Sequence, residues 1–147
     1  MDKPLFVYVI YISASAEDVW KALMDPKTTV KYWQHVNVSD WKVGSRWEHR
    51  EGSRDGDLRL VGKVVQISPP ERLVVTWAYP ADEARVEKHS RVTYNIEPLG
   101  NVVRLTVTHD NLEAGSQILE GISQGWPKGL SSLKSLLELG KALPNLW

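Results

Sequence analysis

From residue 36 to residue 110 the hydrophobic pattern of the chain has a period of two, and this stretch constrains the fold more than any other. Six segments carry it: VNVSDW (36–41), SRWEHR (45–50), DLRLVGKVVQI (57–67), ERLVVTWAY (71–79), ARVEKHSRVTYNI (84–96) and NVVRLTVTHD (101–110). Alternation of this kind marks strands with one face buried. The breaks carry turn chemistry: Gly44-Ser45, Gly52 to Gly56, Ser68-Pro69-Pro70, Pro80 to Glu83 and Pro98 to Asn101. Connections so short make consecutive strands antiparallel neighbours.

Helical patterns flank this block. Leu5–Ile12 reads as a first strand with apolar groups on both faces. SAEDVWKALMDP follows, with Ser15 as helix cap, Asp18 in a capping-box position, and Ala16, Val19, Trp20 and Leu23 forming one stripe. Asp25-Pro26 ends that helix and caps a second, short one, whose apolar face is Val30 and Trp33. At the other end, Leu119, Ile122, Trp126, Leu130, Leu133 and Leu137 form a stripe along a helix from about Ser116 to Lys141. Pro127 cannot donate to the carbonyl of Ser123 and biases Trp126 away from helical geometry. The sequence therefore predicts a break or kink near 123–127 and a firm helix from about Trp126. Gly125 and Gly129 would either let its backbone approach the sheet or a ligand closely, or merely ease a bend around the sheet.

The order is thus strand, two helices, six strands, helix: an α+β domain spanning 1–147. A long C-terminal helix must bury its stripe against one face of a seven-stranded antiparallel sheet. At 1.5 Å per residue that helix runs roughly 35 Å, enough to cross the sheet. A lipocalin-like closed barrel competes, but two helices interrupt the chain directly after the first strand.

Composition removes several function classes. Eighteen basic and eighteen acidic side chains balance without a block of either sign. Nucleic acid and anionic membrane both need a concentrated basic surface, so neither is expected as the main partner. The absence of cysteine excludes disulfides and thiolate chemistry. The apolar run at Leu5–Ile12 is too short to span a bilayer and lacks a small-residue cleavage site, so a cytoplasmic location is expected. The four histidines, at 35, 49, 89 and 109, share no metal-ligand spacing, and no cofactor fingerprint occurs. His35 and His89 read as structural or solvated. Seven tryptophans beside a single phenylalanine point to wide aromatic packing or an aromatic-lined cavity.

Five blocks of sequence resemble the Aha1-like branch (activator of Hsp90 ATPase homologue) of the START/Bet v 1-like (SRPBCC) superfamily. They are ISASAEDVWKALMDPKTTVKYW (12–33), WKVGSRW (41–47), PPERLVVTW (69–77), RLTVTHDNL (104–112) and GWPKGLSSLKSLLE (125–138), in the family's order. The resemblance implies a helix-grip fold: a curved sheet around a long C-terminal helix, with a deep, mostly apolar cavity between them. Members of the wider superfamily bind lipids, hormones and aromatic polyketides, and some catalyse cyclisation or hydrolysis. The eukaryotic namesake domain stimulates the Hsp90 ATPase. The sequence shows no counterpart of that co-activator's additional N-terminal module, which counts against a chaperone partner.

Faces can be assigned by period two. Leu73, Val75, Trp77 and Tyr79 share a side, as do Val92, Tyr94 and Ile96. Val103, Leu105, Val107 and His109 lie opposite Arg104, Thr106 and Thr108. Trp47 and His49 lie opposite Arg46, Glu48 and Arg50. The ligand-binding candidates are therefore Trp33, Trp41, Trp47, His49, Trp77, Tyr79, Tyr94, His109, Trp126 and Leu130, with Leu130→Trp expected to fill the cavity. The leading reading is a small hydrophobic or aromatic ligand between sheet and helix. The alternatives are an acid–base enzyme of the polyketide cyclase or dehydratase type, with His49 and Tyr94 moving protons, and an Hsp90-type interaction module. No residue is assigned a catalytic role, no metal or cofactor is implied, and a homodimer is left open.

Overall fold

The computed structural model describes residues 3–144 and 146–147. Its elements follow the expected order: β1 (Phe6–Ile12), α1 (Ala16–Met24), α2 (Pro26–Trp33), β2 (His35–Val38), β3 (Arg46–Glu51), β4 (Leu58–Ser68), β5 (Arg72–Trp77), β6 (Ser90–Leu99), β7 (Val102–Asp110) and α3 (Gln117–Leu139). The seven strands form one sheet in the order β1-β7-β6-β5-β4-β3-β2, every neighbouring pair antiparallel. The sheet curves into a half-barrel around α3, and the short helices follow the first strand. This is the helix-grip α+β architecture. No described helix is long and apolar enough to cross a membrane.

Local chemistry fixes the helix starts. Ser15 Oγ accepts from the Asp18 amide at 3.1 Å, and Asp25 Oδ1 accepts from the Lys27 amide at 3.1 Å with Pro26 in the first helical turn. Ser116 caps α3 through the Leu119 amide at 3.1 Å, and Gly140, at φ +79°, closes it. On the α3 stripe, Ile122, Trp126, Leu130 and Leu133 are buried. Enclosing such side chains contributes roughly 1.5–3 kcal/mol each, enough to hold a helix that contains a proline.

Three expectations need correction. α3 is one continuous helix from Gln117 to Leu139, with Pro127 inside it and no break before Trp126. Ser123 is exposed, so water can satisfy the carbonyl that Pro127 leaves without a donor. A Cβ at Gly125 would meet nothing within 4 Å, and one at Gly129 would touch the rings of Trp33 and Trp147, not the sheet. α2 buries Thr29 and Tyr32, while Val30 and Trp33 are only partly covered. β6 begins at Ser90, because residues 84–89 form a connection with a single 3₁₀ turn at Val86–Lys88. β1 carries apolar groups on both faces as expected; it is an edge strand whose Phe6, Tyr8, Ile10 and Ile12 pack on the core while Val7, Val9 and Tyr11 face outward and are exposed.

Candidate functional site

The sheet face that meets α3 is aromatic. Trp47 and His49 point there from β3, Trp77 from β5, Tyr94 from β6 and His109 from β7, and all are buried. Trp126 drops into them from α3. Its ring centre lies 5.4 Å from Trp77, 5.3 Å from Trp33 and 5.8 Å from Tyr94. Trp47 is 6.0 Å from Trp77, and its indole N–H donates to the Thr76 carbonyl at 2.7 Å. These tilted and edge-on contacts are the packing that aromatic quadrupoles favour. They occupy the centre of the space between sheet and helix.

Hydrogen bonds lock one corner of the cluster. The Trp126 indole can only donate, so His109 Nδ1 accepts from it at 3.2 Å. His109 Nε2 then carries the hydrogen and donates to Ser90 Oγ at 2.8 Å, while the Ser90 hydroxyl donates to the Trp77 carbonyl at 3.4 Å. Both ring nitrogens are engaged in the neutral form. Burial pushes the His109 pKa down to about 4, with a smaller opposing pull from Asp110. His109 is a bridge between strand and helix.

His49 is held differently. Its Nδ1 faces Asn37 Oδ1 at 2.7 Å, and the ring stacks on His35 with centres 4.7 Å apart and planes 11° from parallel. Burial, and then the neighbouring His35, push its pKa down to about 3. One edge of the histidine pair opens into a cleft of about 300 Å³ between the sheet and the N-terminal half of α3. His35, His49, Leu60, Trp77 and Tyr79 form the sheet side, with Arg59 at the wall, and Gln117, Ile118, Gly121 and Ile122 form the helix side. A Cβ at Gly121 would meet no atom within 4 Å, so this glycine leaves the cleft open. Arg59 is paired with Glu51. Larger depressions on the opposite face of the sheet have charged and amide side chains in their walls. One of about 580 Å³ has Arg72, Asn95 and Glu97 in its walls, with Arg72 donating to Asn95 at 2.8 Å and Glu97 held by Arg104 at 2.8 Å.

Of the ten sequence-derived candidates, His49, Trp77 and Tyr79 line this cleft. Trp33, Trp47, Tyr94, His109, Trp126 and Leu130 pack behind or beside it in the core, and Trp41 packs on the core from the β2–β3 connection. Leu130 is fully enclosed at 1% exposure, so Leu130→Trp would strain packed neighbours and leave the cleft as it is. Tyr94, lodged against Trp126 with its pKa raised by burial, is away from the cleft and cannot serve a ligand there as a proton donor. The sequence reading missed His35 and the helix residues Gln117, Ile118, Gly121 and Ile122. Their spacing of one and then three marks a single helix face, and Gly121 on that face was the available signal. Among the described residues no group of three or more histidine and acidic side chains could hold a metal ion.

Comparison with known proteins agrees with this architecture. No curated protein matches the sequence. Solved structures do match in fold: the Aha1 dimer from Colwellia psychrerythraea superposes with a TM-score of 0.76 at 23% identity, covering 95% of this chain and 99% of that one. An Hsp90 activator from Plasmodium falciparum gives 0.72 at 23% identity, with 92% and 96% covered. CalU16 from Micromonospora echinospora gives 0.71 at 20% identity, with 91% and 76% covered. At such identities the likeness establishes the fold alone. The model of one sequence family, described as activator of Hsp90 ATPase homolog 1-like protein, matches residues 13–138 and so takes in α1, α2 and all but the last residue of α3, with every strand after the first. The chain therefore belongs to the family of activator of Hsp90 ATPase homolog 1-like proteins.

Proposed function

We propose that this protein binds a small hydrophobic or aromatic molecule in the cleft between the sheet and the N-terminal half of α3. One observation carries the reading: although aromatic side chains fill the centre of the helix–sheet space, about 300 Å³ remains open beside them, with a largely apolar lining. That volume is at the lower end of the range for small-molecule sites, about 300–1,000 Å³, and suits a ligand of about two fused rings. Acid–base catalysis is less well supported. A histidine whose pKa is pushed to about 3 is a weak base near neutral pH, and Tyr94 is not in the cleft lining. The test is a tryptophan-fluorescence titration with one- and two-ring aromatic compounds, repeated on Gly121→Phe. Saturable quenching that the variant abolishes supports the reading. No saturation across the panel overturns it.

A second reading, of a homodimer, rests on β1. Lys134 Nζ donates to the Tyr11 carbonyl at 2.6 Å and Glu138 accepts from the Ser13 amide at 2.7 Å, so the odd-numbered backbone groups of this strand point away from β7. Leu5, Val7 and Val9, at 61%, 50% and 45% exposure, line the open part of that edge without a charge among them. An uncharged, exposed edge is a template for another strand. A second copy docked antiparallel about Val7 sets Leu5 opposite Val9 and leaves the Lys134 contact intact. The likeness to a dimeric Aha1 supports a homodimer as such. Sedimentation velocity should show a dimer that Val7→Lys converts to monomer. A wild-type protein that is monomeric at every concentration removes this reading.

A further inference from the structure

The cleft has a fixed hydrogen-bonding polarity, set by residues behind His49. Asn37 Nδ2 donates to the Leu23 carbonyl at 3.3 Å, which turns Asn37 Oδ1 toward His49 Nδ1 at 2.7 Å. An amide oxygen only accepts, so Nδ1 carries the hydrogen and Nε2 holds the lone pair. Nε2 has no partner among the described residues. Trp77 Nε1 is the one fully enclosed side-chain nitrogen or oxygen there that lacks a partner, so Nε2 is not sealed in, and His49 is one of the residues that line the cleft. His35 repeats the arrangement: its Nδ1 donates to the Trp33 carbonyl at 2.8 Å, which leaves its own Nε2 as a second acceptor in the stacked pair.

We propose that the cleft selects a flat, neutral ligand that presents a hydrogen-bond donor, such as a phenol O–H or an aromatic N–H, to Nε2 of His49. This deepens the binding reading above and rests on it. A ligand without a donor would strip the water from Nε2 and leave a buried acceptor unmatched, which costs more than a missing attraction. A carboxylate would place its own lone pairs against that of Nε2. The cation at the wall, Arg59, is already engaged by Glu51 and lies within 3.9 Å of Asp57. Asn37 acts as a positioning residue, since its amide dictates which nitrogen of His49 is free.

The experiment compares 1-naphthol, 1-methoxynaphthalene and 1-naphthoate by calorimetry on the intact chain at neutral pH. Long-range ¹H–¹⁵N spectra of the histidines are recorded alongside. The expected result is naphthol binding about three- to tenfold more tightly than its methyl ether, the difference of one hydrogen bond. Naphthol alone should move the His49 Nε2 resonance upfield, and His49→Phe should abolish the preference. The wild-type comparison and the resonance decide the matter even if that variant fails to fold. Equal binding of naphthol and its ether with Nε2 unmoved overturns the inference while leaving the binding site standing. So does naphthoate as the tightest of the three. No binding by any of the three, with the His35 and His49 resonances unmoved, removes the site and the inference together.

Discussion

Trp126 on α3 donates its indole N–H to Nδ1 of His109 on β7 at 3.2 Å, and this bond fixes the histidine's tautomer. With Nδ1 accepting, Nε2–H is committed to Ser90, so helix, last strand and β6 are joined through one imidazole. Trp126→Phe keeps a six-membered aromatic ring but removes the donor together with the pyrrole half of the buried indole. It leaves a lone pair unmatched in a side chain of 0% exposure, at a cost of about 1–3 kcal/mol. Urea unfolding should show a lower midpoint with an unchanged slope. A loss below about 0.5 kcal/mol would mean that the bond does not hold the helix.

The two buried histidines also set a direction for acid stability. In the unfolded chain a histidine titrates near 6.5, whereas in the fold His49 is pushed to about 3 and His109 to about 4. Above pH 6.5 neither state binds these protons and nothing is lost. Below it the unfolded chain takes them up first, and stability falls by about 1.4 kcal/mol per pH unit for each group. The fall ends near pH 4 for His109 and near pH 3 for His49. Unfolding free energies measured between pH 7 and pH 4 should therefore drop steeply, on the order of several kcal/mol in all. His109→Gln should make the slope shallower. A flat profile across this window would show that the histidines are not buried as neutral groups.

Gly62 on β4 stands opposite Trp47 in the β3–β4 register, under the path of the Trp47 indole to the Thr76 carbonyl. A Cβ there would fall inside the contact shells of both Thr76 O and Trp47 Nε1, so β4 or the indole has to move. Gly62→Ala should destabilise the protein by about 2–3 kcal/mol and change the near-UV circular dichroism of the tryptophan cluster. Wild-type stability in this variant would show that the indole does not pass over Gly62.

How far the sequence reaches can be read from particular residues. The alternation Val103, Leu105, Val107, His109 gave the buried face of β7 correctly, because a strand with one buried and one solvent-facing side leaves no other register. The caps at Ser15 and Asp25 were equally local and equally legible. Pro127 misled the helix prediction, since propensity counts the lost hydrogen bond and not the burial of Trp126 and Leu130 that outweighs it. The cleft was only half visible. Period two places Trp47, Tyr94 and His109 on the inner face, but it cannot say which of them Trp126 will cover. Nor does it reach His35, which lies one residue before the first alternating segment and which the sheet register sets on His49, 14 residues away.

Gly121 and Leu130, nine residues apart on α3, separate a cleft from a core. Gly121 is exposed, helical and free of neighbours within 4 Å, so Gly121→Ala should stabilise the protein by about 0.5–1 kcal/mol through helix propensity. Gly121→Phe should fold at least as well as the wild type, since phenylalanine is a better helix former than glycine, yet lose aromatic ligand, because its ring occupies the space the ligand needs. Leu130→Trp should behave in the opposite way. It overpacks a site of 1% exposure, at a cost of about 1–3 kcal/mol, without touching the cleft lining. Thermal unfolding and ligand titration on the three variants check the pattern. If Leu130→Trp abolishes binding at full stability, the ligand sits deeper, among Trp126 and its neighbours, and the cleft at Gly121 is only its mouth.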